Sequence, residues 1–235
     1  MKISVVIPVL NERASLPATL AALRACHGID QLIVSDGGST DGTVAWLQTQ
    51  PGVLLVHSPC GKGPQLNAGA KAASGDVLFF LHADCAAPQA ALDALRSALS
   101  DPAVCGGAFY LRFAETRPRS LRLVAAGINL RAWVRGSATG DQGIFLRKDI
   151  FNAIGGAPDW PLFEDVELVR RARHAGRFVI LHPPLTVSGR RYIRHGVLRT
   201  ALLIYCLRFA YWLGVPPQRL KEWFKDARPG PKAKV

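Results

Sequence analysis

The sequence predicts an α/β protein: a mostly parallel central sheet flanked by helices, continued by a basic, helical C-terminal extension. Three observations carry this. Short runs rich in β-branched residues are apolar almost throughout, as in strands covered on both faces. These runs alternate with amphipathic helical segments, the pattern of a parallel sheet with crossover helices. Each early strand is followed directly by a polar or glycine-rich stretch, and sheets of this kind bind ligands at the carboxyl ends of their strands.

The elements follow in order. "KISVVIPV" (2–9) is a strand, and "SLPATLAALRAC" a helix with Ser15 placed to cap it and Pro17 in its first turn. "DQLIVSD" (30–36) is a second strand, followed by the turn "GGSTDGT" and a helix around "VAWLQTQ". "VLLVHS" (53–58) is a third strand, "GPQLNAGAKAASG" a helix stopped by Gly75, and "DVLFFLHAD" (76–84) a fourth strand. "PQAALDALRSALS" (88–100) is helical and "VCGGAFYLRF" (104–113) a strand. "SLRLVAAGINLRAWVRG" (120–136) is a helix, and "GDQGIFLRKDIFNAIGG" (140–156) a strand leading into a short helix. "FEDVELVRRARHAG" is a helix ended by Gly176, and "RFVILHPPLTVSGRR" supplies short strands. The boundaries expected are a domain over 1–190 and an extension over 191–235, fraying into disorder at "DARPGPKAKV".

Bulk composition narrows the class. The 235 residues are 49% apolar and 20% charged, ample for a core and unlike a disordered chain. The net charge of +12 points to an anionic partner: nucleic acid, a membrane surface or a phosphate-bearing small molecule. Five scattered cysteines without a CxxC pair argue against a disulfide framework and a structural zinc site, and fit a reducing cytosol. Pro8, Asn11 and Glu12 interrupt the first apolar run too early for a signal peptide. Arg199 and Arg208 divide the apolar segment 197–215, so a spanning helix is not expected. For the extension two readings stay open: packing on the domain or on a second subunit of a homodimer, and contact with a membrane surface.

Several local motifs carry chemistry, each with a plain alternative. Asp36 and Gly37 in "VSDGGST" could receive a nucleoside or simply build an Asx turn. Asp84 in "HAD" could hold Mg²⁺ or Mn²⁺ against a diphosphate or cap the next turn. Lys62, in a glycine-flanked loop before a helix, suits an anion but matches no Walker A loop, and no G-x-G-x-x-G is present. Arg190, Arg191, Arg194 and His195 could fork a diphosphate or form a solvated basic face. On the helix from Glu164, a 3.6-residue period puts Asp165 with Leu168, Val169 and Ala172 on the apolar face. It puts Glu164 with Glu167, Arg171 and His174 on the outer, solvent-facing side, with Glu167 and Arg171 able to pair. The inward Asp165 is then either an N-cap or a general base.

Taken together, "SVVIPVLNE", "VSDGGSTDGT", "GKGPQLNAGAKAASGDVLFFLHAD", "GDQGIFLRKDIFNAIGG" and "FEDVELVRRARHAG" resemble the family-2 glycosyltransferases of the GT-A fold. The "LHADC", "GDQGIFLRK", "FEDVEL" and "SGRRY" variants look most like the bacterial branch labelled arsenosugar-biosynthesis glycosyltransferases. The resemblance covers about residues 1–190 and implies inverting transfer of a sugar from a UDP- or GDP-type donor to an unidentified acceptor hydroxyl. Pro8, Glu12 and Asp36 would hold the nucleoside, with Gly37, Lys62, Asn67, Ala83, Arg190 and Arg191 completing the donor side. Asp84 would ligate a divalent cation, Mn²⁺ or Mg²⁺. Asp165 would be the base, ordered by Glu164. The family commonly has Asp-x-Asp at the metal, whereas here His82 takes the first position, which would favour Mn²⁺; His182 is a further candidate ligand. A cytoplasmic enzyme, peripheral on the inner membrane face, is the resulting expectation. The competing class is a basic module for nucleic acid or membrane on an inactive transferase-like scaffold, but no groove-reading motif is visible and nucleic acid is not expected. A nucleotidyltransferase would need a G-x-G-T-R-type start that the chain lacks.

Overall fold

The structure is a computed structural model and describes residues 1–226. Nearly all of "DARPGPKAKV", where fraying was expected, lies outside the described residues. The strands are β1 (Ile3–Val9), β2 (Gln31–Asp36), β3 (Val53–His57), β4 (Val77–Phe80), β5 (Cys85–Ala86), β6 (Val104–Phe113), β7 (Ile144–Arg147) and β8 (Arg177–Val187). They form one sheet in the order β3-β2-β1-β4-β7-β6-β8-β5. β3, β2, β1 and β4 run parallel, as do β6 and β8, while β7 and the two-residue β5 pair antiparallel to their neighbours.

Period-two alternation decides what each face covers. Ile3, Val5, Ile7 and Val9 of β1 and Phe79 of β4 join the larger core cluster beneath α1 (Leu16–Arg24), α4 (Gln89–Leu99) and α5 (Ser120–Arg135). Val6, Leu78 and Phe80 point the other way, against α3 (Lys62–Ala72), α6 (Lys148–Ala153) and α7 (Glu164–Ala175). Strands sandwiched like this have no solvent face, which is why they read as continuous apolar runs. Where β6 approaches β7, a Cβ on Gly106 would run into the Phe145 carbonyl, so only glycine permits the pairing.

Two details depart from expectation, and a third bears on a choice left open. The Ser15 side chain does not cap α1; its hydroxyl instead accepts a hydrogen bond of 2.8 Å from Arg190. The stretch after Gly176 is one strand of 11 residues rather than short pieces, because two successive prolines are accommodated where the β6–β8 register shifts. The helices of the extension, α8 (Arg190–His195), α9 (Val197–Trp212) and α10 (Pro217–Asp226), pack on the domain, one of the two readings left open for them. Tyr192 and Val197 belong to the larger core, and Leu207 and Leu220 pack with Phe163 in a cluster at the start of α7.

Candidate active site

The carboxyl ends of β1 and β4 open into a cleft with two basins. The larger, about 700 Å³, is lined by Pro8, Glu12, Lys62, His82, Ala83, Asp84, Arg190 and Arg191 among others. The smaller, about 400 Å³, is lined by Glu164 and Asp165 together with side chains from α5 and α9. Lys62, Asp141, Arg191 and Tyr192 form walls common to both. Between them Pro8, Lys62, His82, Gly140, Glu164 and Asp165 meet around a crevice of only about 20 Å³. The chain thus brings eight of the expected donor-side and metal-side residues to one basin and the two expected catalytic carboxylates to its neighbour.

Local sequence explains how the rim is held. Asn11 adopts φ +58°, a left-handed conformation rare outside glycine but tolerated by asparagine. Its carboxamide oxygen accepts from the Thr40 N–H at 2.8 Å, and its own N–H donates to Ser39 at 2.8 Å, which ties the loop after β1 to the loop after β2. Asp36 takes the Asx-turn role: one carboxylate oxygen accepts from the Gly38 and Ser39 N–H groups at 2.8 and 3.1 Å. It orders this loop from a buried position and does not line the cleft. Gly37 leaves room for Gln65, whose amide donates to the Val9 and Ser35 carbonyls and joins the ends of β1 and β2. Asn67 clamps Ala157 through reciprocal bonds of 2.8 and 2.9 Å, behind the cleft rather than in it.

The floor is an ionic relay that sequence reading did not assign. His82 Nδ1 lies 2.9 Å from the Asp141 carboxylate, and His82 Nε2 lies 3.3 Å from Lys62 Nζ. Each ring nitrogen thus faces a neighbour, and His82 lines the larger basin beside Asp84. Burial raises the Asp141 pKa, but the hydrogen bond from His82 and the charges of His82, Lys62 and Arg191 outweigh it and hold the carboxyl well below the usual range. His182 lies apart from this floor. It is exposed on β8, stacked 4.2 Å from the Tyr110 ring, and lines neither basin.

Asp165 is anchored from the same floor. One carboxylate oxygen accepts from the Gly140 N–H at 2.7 Å and the other from the Val166 N–H at 2.7 Å. Gly140 opens a 3₁₀ turn closed by a capping box between Thr139 and Gln142, so its N–H is held in place. A Cβ on Gly140 would lie 2.6 Å from His82 Nε2, so this approach requires glycine. Phe163, which starts α7, adopts φ +64°, a conformation that costs a bulky residue about 1–3 kcal/mol and recurs at sites whose geometry is held by their surroundings.

Glu164 corrects the helical count. It is 5% exposed and Glu167 is 4% exposed, whereas both were expected on the outer face. The reason is that α9 and α10 cover that side, with Tyr211 packed on Phe163 and its hydroxyl 3.4 Å from Glu167. Glu167 does pair with Arg171, at 2.8 Å, and also with Arg170 at 2.7 Å. Burial, then the neighbouring Asp165 charge, raise the Glu164 pKa to about 7.

A divalent cation in this cleft would need donors beyond the protein's own side chains. Among the described residues no three His, Cys, Asp or Glu side chains cluster to hold a metal by themselves. Asp84 lines the larger basin, with one oxygen 3.4 Å from the Arg190 guanidinium. A single carboxylate supplemented by diphosphate oxygens and water is a mode that Mg²⁺ accepts.

These features define an α/β protein with polar loops gathered at its strand ends and an inward carboxylate beyond them. Residues 4–155, well over half of the chain, match the description "Glycosyl transferase family 2", and the chain belongs to that family. An undecaprenyl-phosphate 4-deoxy-4-formamido-L-arabinose transferase from Aeromonas hydrophila is 36% identical over 97 residues, covering 37% of this chain and 30% of its own. The same enzyme from Sodalis glossinidius is 31% identical over 159 residues, covering 62% and 48%. The alignments thus span about a third to a half of these relatives' length, and their names differ from the arsenosugar label. The Pyrobaculum calidifontis mannosyltransferase PcManGT, solved with GDP-Man and Mn²⁺, superposes with a TM-score of 0.67 at 21% identity, covering 91% of this chain and 64% of that one. Staphylococcus aureus TarS gives 0.65 at 17%, covering 86% and 39%. The fold is GT-A.

Proposed function

We propose that the chain is an inverting glycosyltransferase that moves a sugar from a nucleotide-diphosphate donor to an acceptor hydroxyl, with Asp165 as general base. The observation that carries the reading is the position of Asp165: its carboxylate, held by the Gly140 N–H, stands at the seam between a cationic basin and a separate second basin. The donor diphosphate is read into the larger basin, where Lys62, Arg190 and Arg191 supply opposite charge and Pro8, Glu12 and Ala83 the wall toward the nucleoside. PcManGT and TarS, solved with GDP-Man and with UDP-GlcNAc, support a donor of this class without choosing its base.

In one displacement the acceptor O–H proton passes to Asp165 and the acceptor oxygen bonds to the anomeric carbon. The bond from that carbon to the diphosphate oxygen breaks, and its electron pair leaves with the nucleoside diphosphate. Asp84 is the residue that would hold Mg²⁺ or Mn²⁺; a bound cation would supply neutralisation of the leaving diphosphate. Arg190, now shared between Ser15 and Asp84, is free to turn its fork to the phosphates. Action at the inner face of a membrane forms part of the proposal. No helix among the described residues is long and apolar enough to cross one, but α9 and α5 expose Leu198, Leu202, Phe209, Trp212, Leu123 and Trp133.

The test combines binding and turnover. A thermal-shift panel of UDP- and GDP-sugars, each with Mg²⁺, Mn²⁺ or chelator, is expected to show stabilisation by one nucleotide class with metal. Asp165→Asn is expected to keep that shift and lose transfer by about 10²–10⁴-fold. Full transfer by Asp165→Asn removes the base assignment, and no shift with any nucleotide sugar removes the transferase reading.

A further inference from the structure

Besides the exposed Lys221, the smaller basin contains two cations that the reaction above does not use. Arg131 on α5 and Arg208 on α9 both line it, and both are half-buried. Elsewhere Arg96, Arg170, Arg171, Arg177 and Arg190 pair with carboxylates; among the described residues neither Arg131 nor Arg208 does. Their partners are neutral. Arg131 donates to the Ser137 carbonyl at 3.3 Å and, at 3.5 Å, to the Gln142 amide oxygen, while Arg208 donates to the Ser137 hydroxyl at 3.0 Å. Burial, then the charge of Arg208, lower the Arg131 pKa to about 10, and burial lowers that of Arg208 too. Two like charges converging on one residue and withdrawn from water are costly unless a counter-ion completes them. Asp165 favours the charge on both, yet lies beyond ion-pair distance and is held by Gly140.

The remaining wall is of the opposite character. Val124 and Ile128 of α5, Leu162, and Ile204 and Leu207 of α9 form an apolar stretch on the α5–α9 side, while the carboxylates Asp141, Asp159, Glu164 and Asp165 line the opposite side. The same two helices carry their exposed apolar side chains on the outside of the molecule. A pocket with an apolar lining and two unpaired guanidinium groups complements a ligand with an apolar body and one oxyanion.

We propose that the smaller basin is an amphiphile site, in which Arg131 and Arg208 bind a phosphate or carboxylate group and the α5–α9 wall binds the apolar body to which it is attached. As an acceptor site this rests on the transferase reading, with the reacting hydroxyl placed at Asp165; as a binding site it stands by itself. The ligand class is an acidic amphiphile, drawn either from a lipid or from a soluble apolar acid.

The experiment is calorimetric binding to the full chain in low salt, with octyl phosphate, butyl phosphate, inorganic phosphate and octyl glucoside, all below micelle-forming concentrations. Octyl phosphate is expected to bind at least about tenfold tighter than octyl glucoside and than inorganic phosphate. Arg131→Gln with Arg208→Gln is expected to remove the preference for octyl phosphate over octyl glucoside while octyl glucoside binds as before. Equal affinity for octyl phosphate and octyl glucoside overturns the anion site, and equal affinity for octyl and inorganic phosphate overturns the amphiphile. Retention of the preference in the double variant overturns the assignment to these arginines. Should the double variant fail to fold, Arg208→Lys and Arg208→Met replace it, the first keeping the preference and the second reducing it. Butyl phosphate divides the sources: affinity still rising from butyl to octyl fits a lipid, a plateau at butyl fits a soluble acid, and both uphold the pocket. Nucleotide-sugar stabilisation reads the other basin, so failure here is separable from failure of the transferase reading.

Discussion

Glu164→Gln is expected to stabilise the protein above neutral pH. The Glu164 side chain is 5% exposed and stands beside Asp165, and these two effects raise its pKa from an ordinary 4.5 to about 7. Between those values the folded chain holds a proton that the unfolded chain has released, so raising the pH draws the equilibrium toward unfolding. Stability is greatest below pH 4.5 as far as this group is concerned, falls through the window from 4.5 to 7, and stays reduced above it. The difference corresponds to on the order of 3 kcal/mol at pH 8. Glutamine keeps the shape and never ionises, but it cannot reproduce every contact of the protonated acid, so a net gain of about 1–3 kcal/mol is expected. For a chain of this length that is a rise in Tm of several degrees, at roughly 2–4 °C per kcal/mol. Urea unfolding of both proteins at half-unit steps from pH 5 to 9 measures it. The stability difference should grow from pH 5 to 7 and then level. A flat difference, or a glutamine variant less stable at pH 8, refutes the buried-acid argument.

Glu167 behaves oppositely. The hydrogen bond from Arg170, and then that from Arg171, outweigh burial and hold its pKa at about 2, so its contribution is full above pH 4.5 and is lost as pH falls toward 2. Arg170 is 57% exposed and solvent screens that pair, so Glu167→Gln should cost about 1–2 kcal/mol at pH 7 and progressively less in acid, read by the same unfolding series. For the membrane face, truncation near Gly196 would remove Val197 and Leu207 from the core clusters, so point changes are the better probe. Phe209→Ser with Trp212→Ser, both at exposed positions, should lower co-sedimentation with anionic vesicles severalfold without lowering Tm; unchanged co-sedimentation would end the membrane proposal.

What could be read from sequence divides along physical lines. β1, β2 and β4 were legible because both faces are buried and nearly every residue had to be apolar. The positions of Pro8, Lys62, Ala83 and Asp84 followed, since a parallel sheet gathers its strand ends on one edge. Glu164 was not legible. A helical period assigns residues to faces but does not say what covers a face, and α9 and α10 arrive from more than 30 residues later. The role of Asp141 was hidden for a related reason. Its partner His82 lies on another element, and no spacing rule connects "GDQG" to "LHAD". A faint signal existed for Arg131 and Arg208, each set between apolar neighbours, Leu130 and Ala132 on α5 and Leu207 and Phe209 on α9.

The net charge of +12 acquires a different meaning once its placement is known. Residues 168–221 contain no Asp or Glu, a run long enough to have suggested a nucleic-acid surface. Yet Arg190, Arg191 and Arg194 from that run line the larger basin, Arg208 and Lys221 line the smaller, and Arg131 joins the latter from α5. Between these two groups stand Asp141, Glu164 and Asp165, at the floor and the seam. Cations therefore line both basins, interleaved with carboxylates that also include Glu12, Asp84 and Asp159. A uniform basic face would serve a polyanion, but it would not place carboxylates, one with its pKa raised to about 7, at its centre. Mixed charge of this kind suits the proposed reaction, in which a carboxylate removes a proton beside a cationic diphosphate site. The charge pattern thus favours a two-substrate transferase over a nucleic-acid module, and it does so without reference to the family match.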